Sequence, residues 1–315
     1  MNTAEPPPLL APFEGREPPR PAWFAQALAH APERRRHTVQ GAAIETLCWG
    51  DAGRPGLLLL HGKMAHADWW SFIAPFFAAT HRVVAISFAG MGDSDWRASY
   101  DIDTMADEAL AVAQAEALFD APLKPLVVGH SFGGFASLAC IAKAGARLGG
   151  VVLLDMPLLS RVQRRLRDEP ALRVGAFASR PTRVYTTPAA ALARFRFAPP
   201  QPCDNLFIAD HIARTSIKPV TLPDGAGWTW RFDPRVAAIH PGDAAARLQA
   251  ANSPVALAWG EDSALVTPDV AAYGASLCPP ATPTLAIPGA RHHVMVDQPL
   301  ALVAALRALL SAWPA

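Results

Sequence analysis

The chain has 315 residues, 51% hydrophobic and 17% charged, with a formal net charge of +1. Such a composition excludes a mostly disordered chain, and the near-zero charge excludes a global field aimed at nucleic acid or an anionic membrane. The length suits two units, or one large α/β domain with an insertion. Cys48, Cys140, Cys203 and Cys278 stand at no metal-ligand or CxxC spacing and are expected as free thiols in a reducing compartment. The first residues lack a basic stretch followed by an apolar one, so no secretion signal is expected. No apolar run approaches the ~18 residues of a membrane span. A cytoplasmic protein is expected. The excess of arginine over lysine points to a bacterial source with a GC-rich genome.

In chain order, residues 1–22 are proline-rich and predict an extended arm. Residues from Pro21 to about Arg36 carry short helical periodicity through Trp23, Phe24, Ala27 and Leu28. Strands His37–Gln40 and Ile44–Leu47 flank Gly41. Short, continuously apolar runs follow: Leu57–Leu60, Val83–Ile86, Leu126–Val128, Val151–Leu154, Val255–Trp259 and Thr284–Ile287. Runs of that kind suit strands buried on both faces, as in a parallel sheet. Helical stretches are expected near 67–79, 104–119, 133–147, 244–251, 268–277 and 299–312. Strand–helix alternation predicts a mostly parallel central sheet flanked by helices.

The alternation breaks between Pro157 and Gly242, where prolines recur and no clean strand is visible. Residues 156–242 are therefore expected to form a largely helical inserted cap. The core is then 23–155 with 243–315. The insertion holds twelve arginines and one lysine against six acids, so its balance is +7 and that of the remainder −6. That charge suits either a solvated face or a rim that attracts anionic substrates.

The sequence Gly129-His130-Ser131-Phe132-Gly133-Gly134 follows a strand and precedes a helix. It fits G-x-S-x-G, in which small residues let a serine stand on a sharp strand-to-helix turn. Three further segments sit at strand ends: His61-Gly62-Lys63, Ser87 to Ser94, and Gly289-Ala290-Arg291-His292-His293. Together, in this order and over residues 37–315, they resemble the α/β-hydrolase fold family with a lid. The resemblance implies Ser131 as nucleophile and His292 as base, with His293 beside it. Arg291 is a mild departure from the family's Gly-x-Gly-His. Backbone N–H groups of Phe132 and Lys63 are implied as the oxyanion hole, and His61 as a pin for that loop.

The acid departs from the family pattern. The usual register after Gly260 lands on Ser263, not on a carboxylate. Asp155, at the end of the strand Val151–Leu154, is one candidate, since some family members carry the acid there. Asp262, reached by a one-residue shift, is the alternative. Candidate substrate walls in the cap are Phe195, Trp228 and Trp230, with Arg183 as an anion contact. Phe177, Tyr185, Phe197, Phe207, Arg194 and Arg196 are further cap candidates.

A serine at this turn argues against the chemistry of relatives that place an aspartate there and attack an sp3 carbon. No phosphate loop, metal-ligand cluster or dinucleotide fingerprint is visible, so no cofactor and no metal are expected. The expected partner is a small-molecule substrate, with neither nucleic acid nor membrane. The resemblance implies a serine carboxylesterase. A carbon–carbon bond hydrolase acting on an anionic diketone is the alternative, and a non-catalytic binding protein on this fold is a third reading.

Overall fold

A computed structural model describes residues 8–160, 162–163, 182–223 and 225–313. Ten strands are present among them. They are β1 (Glu33–Val39), β2 (Ala42–Trp49), β3 (Gly56–Leu60), β4 (Arg82–Ile86), β5 (Leu126–His130), β6 (Gly150–Leu154), β7 (Ile217–Leu222), β8 (Gly225–Trp230), β9 (Val255–Gly260) and β10 (Thr284–Ile287). Eight form one sheet in the order β1-β2-β4-β3-β5-β6-β9-β10. β2 pairs antiparallel with β1 and β4, and every later neighbour is parallel.

The apolar runs are explained by burial on both faces. Side chains alternate across a strand with period 2. Leu57, Leu59, Val83, Ala85, Val152 and Leu154 enter one hydrophobic cluster. Leu58, Leu60, Val84, Ile86, Val151 and Leu153 enter the other. A sheet covered on both sides has no polar face to show in its sequence.

The flanking helices are α1 (Ala22–Ala29), α2 (Ile102–Ala115), α3 (Phe132–Ala144), α4 (Pro188–Leu192), α5 (Leu206–Thr215), α6 (Ala244–Gln249), α7 (Pro268–Ser276), α8 (Val294–Asp297) and α9 (Pro299–Ala312). Asp101 caps α2 through its side chain, accepting from Thr104 N–H. The helix expected over 67–79 is instead two 3₁₀ turns, Ala67–Trp70 and Ala74–Phe76. Pro75 cannot donate into a continuous α-helix there. The expected helix toward Arg36 ends at Ala29, because Glu33–Val39 pairs along β2. The pairing energy of a full antiparallel ladder overrides a weak helical pattern.

Between β6 and β9 the described residues include α4, α5, a 3₁₀ turn at Pro234–Ala238 and α6. They also include the antiparallel hairpin β7–β8, where no strand was expected. Pro219 is tolerated because this two-stranded ribbon leaves an outer edge that needs no N–H. The proline-rich arm is docked from residue 8 onward. Leu10 is buried, and Arg214 on α5 donates to the Gly15 carbonyl at 2.7 Å. No helix among the described residues is long and apolar enough to cross a membrane.

Candidate active site

Ser131 sits between β5 and α3 with φ 51° and ψ −113°. A non-glycine residue at positive φ is strained, and the surrounding backbone must hold it. Ser131 N donates to Leu154 O at 2.8 Å, and Gly134 N donates to Ser131 O at 3.0 Å. The flanking glycines are required by close approach. A Cβ on Gly129 would lie 2.4 Å from Gly133 O, and one on Gly133 would lie 2.4 Å from Leu60 O. Both are backbone atoms that cannot move aside.

Asp155 follows β6 and His292 follows β10, and the sheet brings them together. His292 Nδ1 donates to Asp155 Oδ1 at 2.7 Å. Asp155 is fully buried and accepts twice more, from Gly260 N at its Oδ2 and from Ser263 Oγ at its Oδ1, both at 2.8 Å. Three donors on one carboxylate fix its orientation and hold Nδ1 of His292 in the protonated tautomer. Asp262 is exposed, and its backbone N–H bonds Ala290 O. Ser263, at the register of the family's usual acid, is a donor to Asp155. Its own oxygen accepts from the N–H groups of Leu265 and Val266.

The His292 loop is held from three sides. Its carbonyl accepts from His130 Nε2 at 2.9 Å. Arg291 N donates to Asp297 Oδ2, and His293 N donates to Gln201 Oε1. Ser131 and His292 line one cavity of about 310 Å³. Neither Ser131 Oγ nor His292 Nε2 has a hydrogen-bond partner among the described residues.

The loop after β3 completes the cavity wall. His61 Nδ1 donates to Gly62 O at 2.7 Å, while its Nε2 accepts from Phe88 N at 3.0 Å. Burial lowers the His61 pKa to about 3, so the ring is neutral and both bonds persist. The backbone N–H groups of Lys63 and Phe132 have no protein acceptor among the described residues. The Lys63 side chain is half-buried and turned inward. Its Nζ donates to the carbonyls of Ala237 and Ile239 at 3.1 and 3.0 Å and lies 4.7 Å from the Phe132 ring centre. Burial lowers its pKa to about 8.

His130, His292 and His293 offer ring atoms within 4.8 Å of one another and are the one such group of three among the described residues. Burial pushes His130 to about 3 and His293 well below the usual range, leaving both rings neutral. Nδ1 of His292 and Nε2 of His130 are already committed, to Asp155 and to a carbonyl.

A second cavity of about 420 Å³ adjoins the first and shares Lys63, Met64, Trp69 and Ala198 with it. Phe195, Trp230 and Arg183 line it, as do Arg194 and Arg196. Trp228 does not: its backbone pairs with Tyr185 and its ring packs against the core. Phe177 lies outside the described residues. Trp69, shared by both chambers, was not singled out in the sequence, because its register on a 3₁₀ turn looks like any buried tryptophan.

A model of the alpha/beta hydrolase family matches residues 57–306. The chain belongs to the alpha/beta hydrolase family. Lipase LipV of Mycobacterium tuberculosis is 30% identical over 120 residues, 38% of this chain and 44% of that protein. The curated relatives are matched over less than half of their length, 33% to 44%. Among solved structures, E-2-(acetamidomethylene)succinate hydrolase superposes with a TM-score of 0.73 at 21% identity, over 89% of this chain and all of that one. An esterase of M. tuberculosis superposes with a TM-score of 0.71 at 23% identity, over 92% of this chain and 98% of that one. These likenesses carry the fold.

Proposed function

We propose that the protein is a serine hydrolase that cleaves a carboxylic ester of a small organic substrate. The observation that carries this is the Asp155–His292 hydrogen bond inside the cavity that Ser131 lines. In this reading Ser131 Oγ attacks the ester carbonyl carbon while its proton passes to His292 Nε2. The oxyanion that forms is held by the N–H groups of Lys63 and Phe132, worth about 3–4 kcal/mol per donor. His292 returns the proton to the leaving alkoxide, and the alcohol departs from an acyl-enzyme. Water then attacks the acyl carbon, again with His292 as base, and releases the acid and free Ser131. Asp155 keeps the imidazole in the right tautomer and stabilises the imidazolium. The lipase and esterase relatives support the same chemistry.

Hydrolysis of 4-nitrophenyl esters by the purified protein tests this. The expected result is turnover that disappears in Ser131→Ala at unchanged circular dichroism. Cleavage of a vinylogous diketone with no cleavage of any aryl ester would move the assignment to the carbon–carbon hydrolase, which uses the same residues.

A further inference from the structure

Thirteen of the eighteen described arginines stand within 4 Å of a carboxylate. The five that do not are Arg147, Arg307, Arg183, Arg194 and Arg196. Arg147 bonds Gln114, and Arg307 bonds the Phe76 carbonyl, each outside the catalytic cavities. The remaining three all line the second chamber. Three of the five described arginines without a carboxylate thus gather at one place.

Among the described residues, no aspartate or glutamate lines it or the adjoining catalytic cavity. Arg196 is half-buried, between Phe195 and Phe197, which are 6% and 3% exposed. Its Nη1 donates to the Phe195 carbonyl at 2.7 Å, and its Nε is buried with no partner. That Nε is closed off, so a ligand in the chamber meets only the rest of the Arg196 guanidinium. The planar fork suits a carboxylate. Arg183 and Arg194 are exposed at the rim, where they raise the local concentration of anions without fixing their pose. The two cavities meet at Lys63, Met64, Trp69 and Ala198, where the Lys63 ammonium is already held by the Ala237 and Ile239 carbonyls and the other three side chains are apolar.

We propose that the substrate is an ester whose acyl part ends in a carboxylate, held by Arg196 in the second chamber while the ester carbonyl lies at Ser131. This rests on the ester-hydrolase reading above and adds the substrate class to it. The apolar side chains where the cavities meet take the methylene chain between the two ends. A neutral acyl chain leaves the half-buried Arg196 cation without a counter-charge, so discrimination comes from that charge.

A matched pair tests it: mono-4-nitrophenyl adipate against its methyl ester, methyl 4-nitrophenyl adipate. The two share leaving group and chain length and differ in charge. The expected result is a kcat/KM at least tenfold higher for the free carboxylate. That ratio should fall at least fivefold in Arg196→Gln and hold in Arg147→Gln. Free adipate should inhibit the wild type competitively, a result that needs no variant to fold. A wild-type ratio near one, with Ser131 still labelled by a fluorophosphonate, would overturn the carboxylate assignment and leave the esterase reading standing. A high ratio that Arg196→Gln leaves intact would remove Arg196 from the role. Neither ester cleaved and no label on Ser131 would overturn the ester-hydrolase reading itself.

Discussion

Asp155→Asn is the substitution with the most definite expected outcome. The backbone of Asp155 lies at φ 46°, in the left-handed region, where asparagine is at ease and alanine is not. The change therefore tests the carboxylate and spares the turn. Asp155 accepts from His292 Nδ1, Ser263 Oγ and Gly260 N, at 2.7, 2.8 and 2.8 Å. An amide offers one oxygen and one NH2 to three donors. With the oxygen toward His292 and Ser263, the NH2 meets the Gly260 N–H and a buried donor is orphaned, at about 1–3 kcal/mol. With the oxygen toward Gly260, the NH2 meets His292 Nδ1 and forces the tautomer that carries its proton on Nε2. That ring cannot take the Ser131 proton, and the loss in kcat is about 10⁴-fold. The assay is 4-nitrophenyl acetate turnover beside urea denaturation, with Asp262→Asn as the parallel variant. Asp262 is exposed, so its change should cost less than threefold. Equal losses in the two variants, or more than a tenth of the activity left in Asp155→Asn, would refute the reasoning.

Other outcomes follow from the same contacts. Ser263→Ala removes one donor from Asp155 and the acceptor of two N–H groups, so kcat should fall about tenfold and stability by about 1–3 kcal/mol in urea. Lys63→Met leaves the Ala237 and Ile239 carbonyls without their cation and should lower Tm by a few degrees in a calorimetric scan. Gly133→Ala drives a Cβ into Leu60 O and should slow Ser131 labelling at least tenfold, since the nucleophile turn and the loop after β3 must separate. His61 and His130 titrate near 3 in the fold, because burial disfavours the cation, and near 6.5 when unfolded. The unfolded chain therefore binds more protons below 6.5. Stability is complete above that pH and is lost as pH falls from 6.5 toward 3, by at most about 1.4 kcal/mol per pH unit for each ring. Urea titrations at pH 7.5, 6.5 and 5.5 would show a midpoint that drops across the last step, and a flat midpoint would contradict it.

Much of the core was legible because its signals are local. Six apolar runs marked six strands of the sheet; β3, β4 and β6 are buried on both faces, which leaves no alternative composition, while the edge strand β10 is only partly buried. The turn at Ser131 was legible because its glycines form a fixed local pattern, although the backbone they make room for is Gly133 O within the turn for Gly129 and Leu60 O on a neighbouring strand for Gly133. The partner of His292 was not decided by sequence. Asp155 and Asp262 both end strands, and only the packing of β6 beside β9 shows which one faces the imidazole. Ser263 carries no signal of its own, because its role is a hydrogen bond to a residue 108 positions away. In the insertion, Pro219 and the Gly225-Ala226-Gly227 run hid the hairpin, whose pairing is supplied by tertiary contact and not by propensity. The chamber around Arg196 is assembled from the loop after β3, the 3₁₀ turn Ala67–Trp70, residues between 182 and 198 and the hairpin, so no stretch of sequence contains it.

Intact-mass detection of fluorophosphonate labelling tests the central claim most directly. The account predicts a single adduct on the wild type and none on Ser131→Ala. It also predicts labelling at least a hundredfold slower on Asp155→Asn. An unlabelled, folded wild type, or an adduct that persists in Ser131→Ala, would contradict it.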